Sequence, residues 1–558
     1  MSAIVIMLIS FVVLFIAYFT YGSWLSKQWG VDGSKPTPSH TMGDGIDYVP
    51  AKAPVLLGHH FASIAGAGPI TGPIQAAIFG WLPVLLWIVI GGIFFGAVQD
   101  FSSLLASVRH GGKSIGHVIE VNIGKRGKKL FLVFAWLTLL LVVAAFADIV
   151  AKTFAGFNAD GSLNAANGAT AATSVLFLVV SIIFGFLVYR RNVNFGMASI
   201  VGVIFIMISI ALGILFPVYL SKNVWLGIVL AYIVVASVAP VWILLQPRDY
   251  LNSFLLYAMI IAAFFGILVS NPTINLPAYT GFVVGGKYMF PILFITVACG
   301  AISGFHSLVG SGTTSKQLDK ESDARIIGYG GMLIESGLAV IALIAVGYLY
   351  KNGQMPEGTP TVVFANAVAE FVNHVGVPIE IARTVITLSI SAFALTTLDT
   401  ATRLARYMFQ EFFVDEGVDA DSLTGIAKIA SNKYIATLIT VVLGGALAAG
   451  GYSNIWPLFG SANQLLAALA LIAVAVWLGK IGKNNKMFYI PMAFMLVATL
   501  SALLITIQGN LAKLMDPTVE SFFYREGLQI IFGVLLFSLA VVLAIEGIQK
   551  LREKPKKA

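Results

Sequence analysis

The chain has 558 residues, of which 58% are hydrophobic and only 11% charged. Its mean hydropathy is +0.90, and because soluble domains carry about a quarter charged residues, this is a polytopic, all-α membrane protein. The single cysteine, Cys299, excludes a disulfide framework and, as an expectation, any Cys-based zinc or iron–sulfur site. The net charge of +8 sits in Lys and Arg between apolar stretches, so nucleic-acid binding is not expected.

A crossing needs about 20 apolar residues. In chain order, about fifteen spans are expected by that rule, centred on 3–22, 58–80, 82–108, 129–155, 172–189, 196–218, 223–245, 250–270, 289–310, 326–350, 379–410, 433–450, 455–479, 488–508 and 526–548. Residues 3–22 lack a basic leader and a small-residue cleavage site, so the first is read as an uncleaved span. Loop charge alternates along the chain. Arg109 to Lys129, Arg190 and Arg191, Arg248, Lys316 to Arg325, Arg406 to Lys433, Lys480 to Lys486 and the Lys550 to Lys557 tail fall on one side. The opposite loops hold isolated cations such as Lys222, Lys287, Lys351 and Lys513. This asymmetry places the N-terminus outside and the C-terminus in the cytoplasm of a cell membrane.

The segment Gly58 to Pro73 has membrane length but contains His59, His60, four glycines and two prolines. Proline and glycine free backbone groups that lipid cannot satisfy, so a break is tolerated only inside protein or along a cavity. Interrupted helices of this kind form solute sites in secondary transporters. Ala65 to Thr71 is expected to unwind, with Gly66 and Gly68 exposing backbone and Thr71 and Gln75 offering side-chain donors. Ser63 precedes the break. A second broken segment, Gly300 to Thr314, contains His306. Its Ser303, Ser307, Ser311, Thr313 and Thr314 make a polar stripe too dense to face lipid, which lines a cavity or faces another helix.

Two pairs of segments repeat at an offset near 240 to 250 residues. The broken segments form one pair; Ala145 to Lys152 and Thr396 to Arg403, each with a carboxylate four residues before a cation, form the other. The charge pattern gives the halves opposite topology. The expected organisation is residues 1–52 as an extra first helix and loop, 53–220 as repeat one, 221–285 as two linking helices, 286–482 as repeat two, and 483–558 as two final helices with a basic tail. This is an inverted five-plus-five repeat with a LeuT-like core.

The charged and polar residues within the spans have competing explanations. An imidazole at His59, His60 or His306 can carry a proton or hold a carboxylate, or can sit neutral in a helix interface. Asp100, Asp148, Glu335 and Asp399 are candidate proton sites because intramembrane carboxylates are costly. Asp148 with Lys152, and Asp399 with Arg403, stand at i, i+4 and could neutralise themselves. Asp100 could instead snorkel or pair with Arg109. Thr396, Thr397 and Thr400 around Asp399 offer hard oxygen ligands suited to sodium. A bound metal or organic cofactor is not expected, since no recurring ligand spacing occurs. Trp242, Gln246 and Arg248 read as an interfacial anchor, and Asn463 with Gln464 as interhelical hydrogen bonds.

Long blocks of the sequence resemble the carbon starvation protein A family of bacterial and archaeal transporters. They are Gly58 to Pro69 through Gly96 to Asp100, Pro240 to Tyr250, Ser303 to Ser307 through Ser311 to Lys316, Ile327 to Met332 with Glu335, and Trp456 to Gln464. The resemblance implies an uptake system induced by carbon shortage, with members associated with peptides or with pyruvate and driven by the proton gradient. Longer members have Ala-Val-Asp-Ala-Gly-Thr-Arg where this chain has Thr396-Thr-Leu-Asp-Thr-Ala-Thr-Arg403, and they extend further at the C-terminus. The expected function is proton-coupled import of small peptides, with a pyruvate or monocarboxylate symporter, proton- or sodium-coupled, as the alternative. A channel, an intramembrane enzyme and a nutrient sensor are the rival classes. Spacing does not set oligomeric state.

Overall fold

The computed structural model describes residues 2–44, 47–158, 160–191, 193–240, 243–414, 423–516, 518 and 522–553. Trp242, loop residues 415–422 and the tail beyond 553 lie outside the described residues.

Among the described residues, eleven helices are long and apolar enough to cross a membrane, and a twelfth counts if α16 (Gly425–Ser431) and α17 (Lys433–Ala448), bent by 76°, make one span. They separate into centre and rim by burial. Within their apolar windows, α6 (Lys125–Phe154), α13 (Glu321–Leu349) and α15 (Ile379–Phe413) are each 83% buried and α18 (Tyr452–Lys480) 94%. By contrast α1 (Ala3–Trp29), α8 (Phe195–Leu215) and α20 (Arg525–Arg552) are only 33% buried. A helix apolar all round yet open on most of its surface is suited to face lipid tails. The two helices α6 and α15 pack along one another more extensively than any other pair, forming the axis on which the rest is laid.

Two expected spans are split as the glycines and prolines suggested. The first becomes α2 (Ala53–Ile64) and α3 (Gly68–Ala76). Pro69 occupies the first turn of α3, where a missing N–H costs least. The interruption covers only Ala65 to Ala67, narrower than the Ala65 to Thr71 expected, because the fixed φ of Pro69 starts the new helix early. The second becomes α11 (Met289–Thr296) and α12 (Gly304–Gly312). Its gap, residues 297–303, takes in only Ser303 of the polar stripe, so His306 lies on a regular helix and not within the break.

The other long apolar helices are α4 (Trp81–Arg109), α7 (Ala165–Arg191), α10 (Leu245–Ser270) and α19 (Lys486–Met515); α9 (Lys222–Val238) is apolar but shorter, at 17 residues. Short α5 (Ile115–Asn122) follows α4 in a loop. A helix not expected from span counting is α14 (Pro360–Asn373), in a region read as loop. At 14 residues it is too short to cross, but Phe364, Val368 and Phe371 are fully buried, so it wedges among α10, α13 and α15.

Candidate functional site

The two interruptions touch. A Cβ on Gly68 would lie against the Cys299 side chain, and one on Gly72 would come within 2.7 Å of the Thr296 carbonyl oxygen. Only glycine permits that approach. Backbone freed in the second gap is satisfied by side chains from elsewhere. Gln464 donates to the carbonyls of Phe294 (2.6 Å) and Val297, Trp87 donates to Val297, and Asn463 accepts from the Phe305 N–H at 2.8 Å. The expected interhelical role of Asn463 and Gln464 thus has a specific form: they hold the second break open. At the first break, the amides of Ala67 and Gly68 find no acceptor among the described residues.

Two clefts approach the first break from opposite ends. The larger encloses about 600 Å³ including its mouth. It is lined by His59 and Ser63 of α2, Thr313 and Lys316 after α12, and Thr400, Arg403 and Tyr407 of α15, with Asp47 at the rim. The smaller, about 220 Å³, is lined by Thr71, Lys152, Tyr452 and the start of α14 at Thr359 to Thr361. Within the break Gly66 is tightly packed: a Cβ there would stand 2.6 Å from the Thr397 hydroxyl and 2.9 Å from the Phe146 ring.

Several expected residues sit elsewhere. Gln75 is half-buried and lines neither cleft. Ser307 and Ser311 line neither cleft; each donates to a carbonyl of its own helix, at 2.6 Å, and Ser311 also accepts from the Ile115 N–H. The Ser107 hydroxyl of α4 donates to the Ser311 carbonyl and to the Ser315 hydroxyl. Ser303 accepts from Asn463 beside the second gap. His60 shares a 2.8 Å hydrogen bond with Thr314. Thr396 accepts from Asn252, and Thr397 reaches the Ser63 carbonyl at 3.4 Å.

The four expected carboxylates fall into three groups of buried charge. Asp148 meets Lys152 at 3.0 Å, as its spacing suggested, but also Lys222 at 2.6 Å and the Tyr452 N–H at 2.8 Å. Asp399 does not pair with Arg403. It accepts from Arg248 and from the Tyr232 hydroxyl (2.7 Å), while Arg403 donates to the carbonyls of Ala236 and Ala239. Arg248 is therefore a fully buried counter-ion and no interfacial anchor; it also holds Asp249, whose other oxygen lies 3.7 Å from His59. Trp242 and the Gln246 side chain lie outside the described residues. Asp100 does not pair with Arg109, which binds Glu321 at 2.7 Å. Asp100 instead accepts from His306 Nδ1 at 2.7 Å, and His306 Nε2 lies 3.3 Å from Glu335. The donor atoms of Cys299, His306 and Glu335 fall within 4.8 Å of one another, a grouping that their distance along the chain concealed.

The sequence profile described as "Carbon starvation protein CstA" matches residues 2–356 and 350–502. The chain belongs to the carbon starvation protein CstA family. Among the relatives of this CstA-family transporter, the "Peptide transporter CstA" of Bacillus subtilis (strain 168) is 35% identical over 549 residues, covering 89% of each chain. The protein of the same name from Escherichia coli (strain K12) is 34% identical, covering 90% of this chain and 80% of its own. The "Pyruvate/proton symporter BtsT" of the same strain is 31% identical, covering 94% and 83%. A crystal structure of the Eremococcus coleocola manganese transporter superposes with a TM-score of 0.51 at 13% identity, over 92% of this chain and 99% of that one. The CstA-family chain thus shares that transporter's fold, and the multi-pass membrane architecture follows from the family and the helices together.

Proposed function

We propose that this protein imports small peptides together with protons, by alternating exposure of a site at the first helix break. The observation that carries the reading is the pair of clefts on either side of the first break, the larger lined by His59 and Ser63 before it, with Lys316 and Arg403, and the smaller by Thr71 after it. Cationic side chains and the amides of Ala67 and Gly68 suit a carboxylate, which every peptide presents at its C-terminus. Rocking one bundle against the other would open each cleft in turn.

Adding the two interrupted pairs, the bent pair and α9 to the eleven long helices gives fifteen crossings, and supports an extra helix at 1–52, repeats at 53–220 and 286–482, linking helices at 221–285 and a C-terminal pair at 483–558. In favour of the inverted repeat, each half begins with a broken helix, its second crossing contains a stretch of π-turns (92–96 and 325–330), and its third crossing joins the central α6–α15 pair. Lys316, from one of the basic loops, lines the larger cleft, which supports a reading in which that cleft faces the cytoplasm, with a cytoplasmic C-terminus and an outer N-terminus. The reading requires no cofactor and no chemical conversion of the solute. Pyruvate is the second reading, favoured by the relative named as a pyruvate/proton symporter.

Uptake into proteoliposomes tests this, with dialanine and pyruvate supplied separately under imposed proton or sodium gradients. Accumulation of dialanine under an inward proton gradient is expected. Accumulation of pyruvate alone transfers the assignment to the second reading, sodium dependence reassigns the ion, and equilibration without accumulation defeats the symporter.

A further inference from the structure

The buried carboxylates differ in what neutralises them. Asp148 has two lysines; Asp399 and Asp249 share an arginine, which keeps its charge throughout, with the Tyr232 hydroxyl on Asp399 and His59 3.7 Å from Asp249. Asp100 and Glu335 share one imidazole, and no Lys or Arg pairs with either among the described residues. With His306 charged and both carboxylates ionised, the group retains one uncompensated negative charge in a site closed to water, an expensive arrangement. One added proton removes it.

The hydrogen bonds indicate where that proton goes. Asp100 is held by His306 Nδ1, whereas neither oxygen of Glu335 has a hydrogen-bond partner among the described residues, and His306 Nε2 has none. Both carboxylates follow a π-turn stretch by about one turn, at 92–96 in α4 and 325–330 in α13, and such irregularities re-aim side chains at working sites. His306 rides on α12, the half-helix that follows the second break. Its position relative to Glu335 therefore changes if that half-helix moves. The remaining titratable neighbours are Cys299, in the gap, and His60 of α2, which packs on Gly331 one turn before Glu335.

Resting on the symporter reading, we infer that Glu335, in a cluster with His306 and Asp100, is the group that takes up and releases the coupled proton, apart from the solute cleft lined by His59, Ser63 and Arg403. In the step, the Glu335 carboxylate gains one proton on one side of the membrane and returns it on the other, and the cluster alternates between one negative charge and none.

The test uses the full chain in proteoliposomes with dialanine and pyruvate as probes, comparing gradient-free exchange of labelled solute with solute-evoked proton entry. For Glu335→Gln, exchange is expected to stay within about threefold of wild type while proton entry and gradient-driven accumulation fall by at least about tenfold. Asp148→Asn should leave proton entry per solute unchanged. If Glu335→Gln fails to reach the membrane, Asp100→Asn, which leaves Glu335 paired with His306 alone, is expected to keep exchange and lose proton entry.

Proton entry that survives in these variants overturns the inference. So does loss of exchange in a correctly folded Glu335→Gln protein. A transition metal bound at one per purified chain, and lost in Cys299→Ser and Glu335→Gln, would also overturn it, because the cluster would then be a metal site. Absence of any exchange by the wild type defeats the transport reading itself, whereas exchange without Glu335-dependent proton entry defeats only this inference.

Discussion

Arg248 donates to Asp399 across 151 residues of chain, joining the start of α10 to the middle of α15 within a site closed to solvent. The Tyr232 hydroxyl completes the carboxylate from α9. Three helices are thus pinned beside the solute cleft by one carboxylate, and Asn252, one turn along α10, donates to Thr396 and fixes the same register.

Asp399→Asn leaves Arg248 still paired with Asp249, so it should destabilise the folded protein by about 1.5–3 kcal/mol, the worth of a hydrogen bond to a charged group, whereas Arg248→Met strands two buried carboxylates and should cost about 3–5 kcal/mol. Insertion should persist while uptake is impaired. Thermal unfolding in detergent, alongside uptake, checks both; wild-type transport in Asp399→Asn would show the pair to be dispensable for the cycle.

Asp148 calls for a milder prediction. Both lysines that meet it are about one-third exposed, so solvent screens part of the attraction. Asp148→Asn should lower stability by about 1 kcal/mol, mostly through the weakened Tyr452 N–H bond. The same assay in a Lys222→Met background should give a smaller loss than in the wild type, since one stranded cation has already been removed.

Gly66 sits in the first break, between Ser63 of the larger cleft and Thr71 of the smaller, and is tightly packed. In Gly66→Ala the new methyl must displace Thr397 or Phe146, an overpacking cost of about 1–3 kcal/mol in the closed arrangement. Initial uptake should fall by at least about tenfold, and Thr397→Ser, which removes a methyl beside the clash, should not restore it as well as Phe146→Leu, which removes the ring. Equal rescue by both would place the closure elsewhere.

Residue order along the chain discloses some of this and hides the rest for a physical reason. Glycine and proline act on their own backbone, so both interruptions were legible, to within the few residues by which Pro69 and the second gap shifted them. The Asp148–Lys152 pair is also local, one helical turn apart, and it forms. The same spacing at Asp399 and Arg403 misled, because helix contacts beyond the turn offered Asp399 an arginine and a phenol, and offered Arg403 two free carbonyls at the end of α9. Asp100 and His306 are separated by 206 residues and meet only through the packing of α4 on α12. Helix α14 was missed because a 14-residue apolar segment falls below the length that marks a crossing.

Lys316 provides the cleanest test of the cleft, because it lines the space without an ion-pair partner among the described residues, resting on the Tyr48 ring with its ammonium 5.4 Å from the centroid. Arg403, by comparison, also ties down the end of α9, so its removal would confuse binding with packing. If the cleft receives a carboxylate, Lys316→Gln should raise the KM for solute by about fivefold to tenfold with little change in maximal rate, the signature of binding shared by ground and transition states. The effect should shrink as ionic strength rises, since an accessible charge acts through a screened field. A KM that stays at the wild-type value in low salt would mean that solute reaches the first break without passing Lys316.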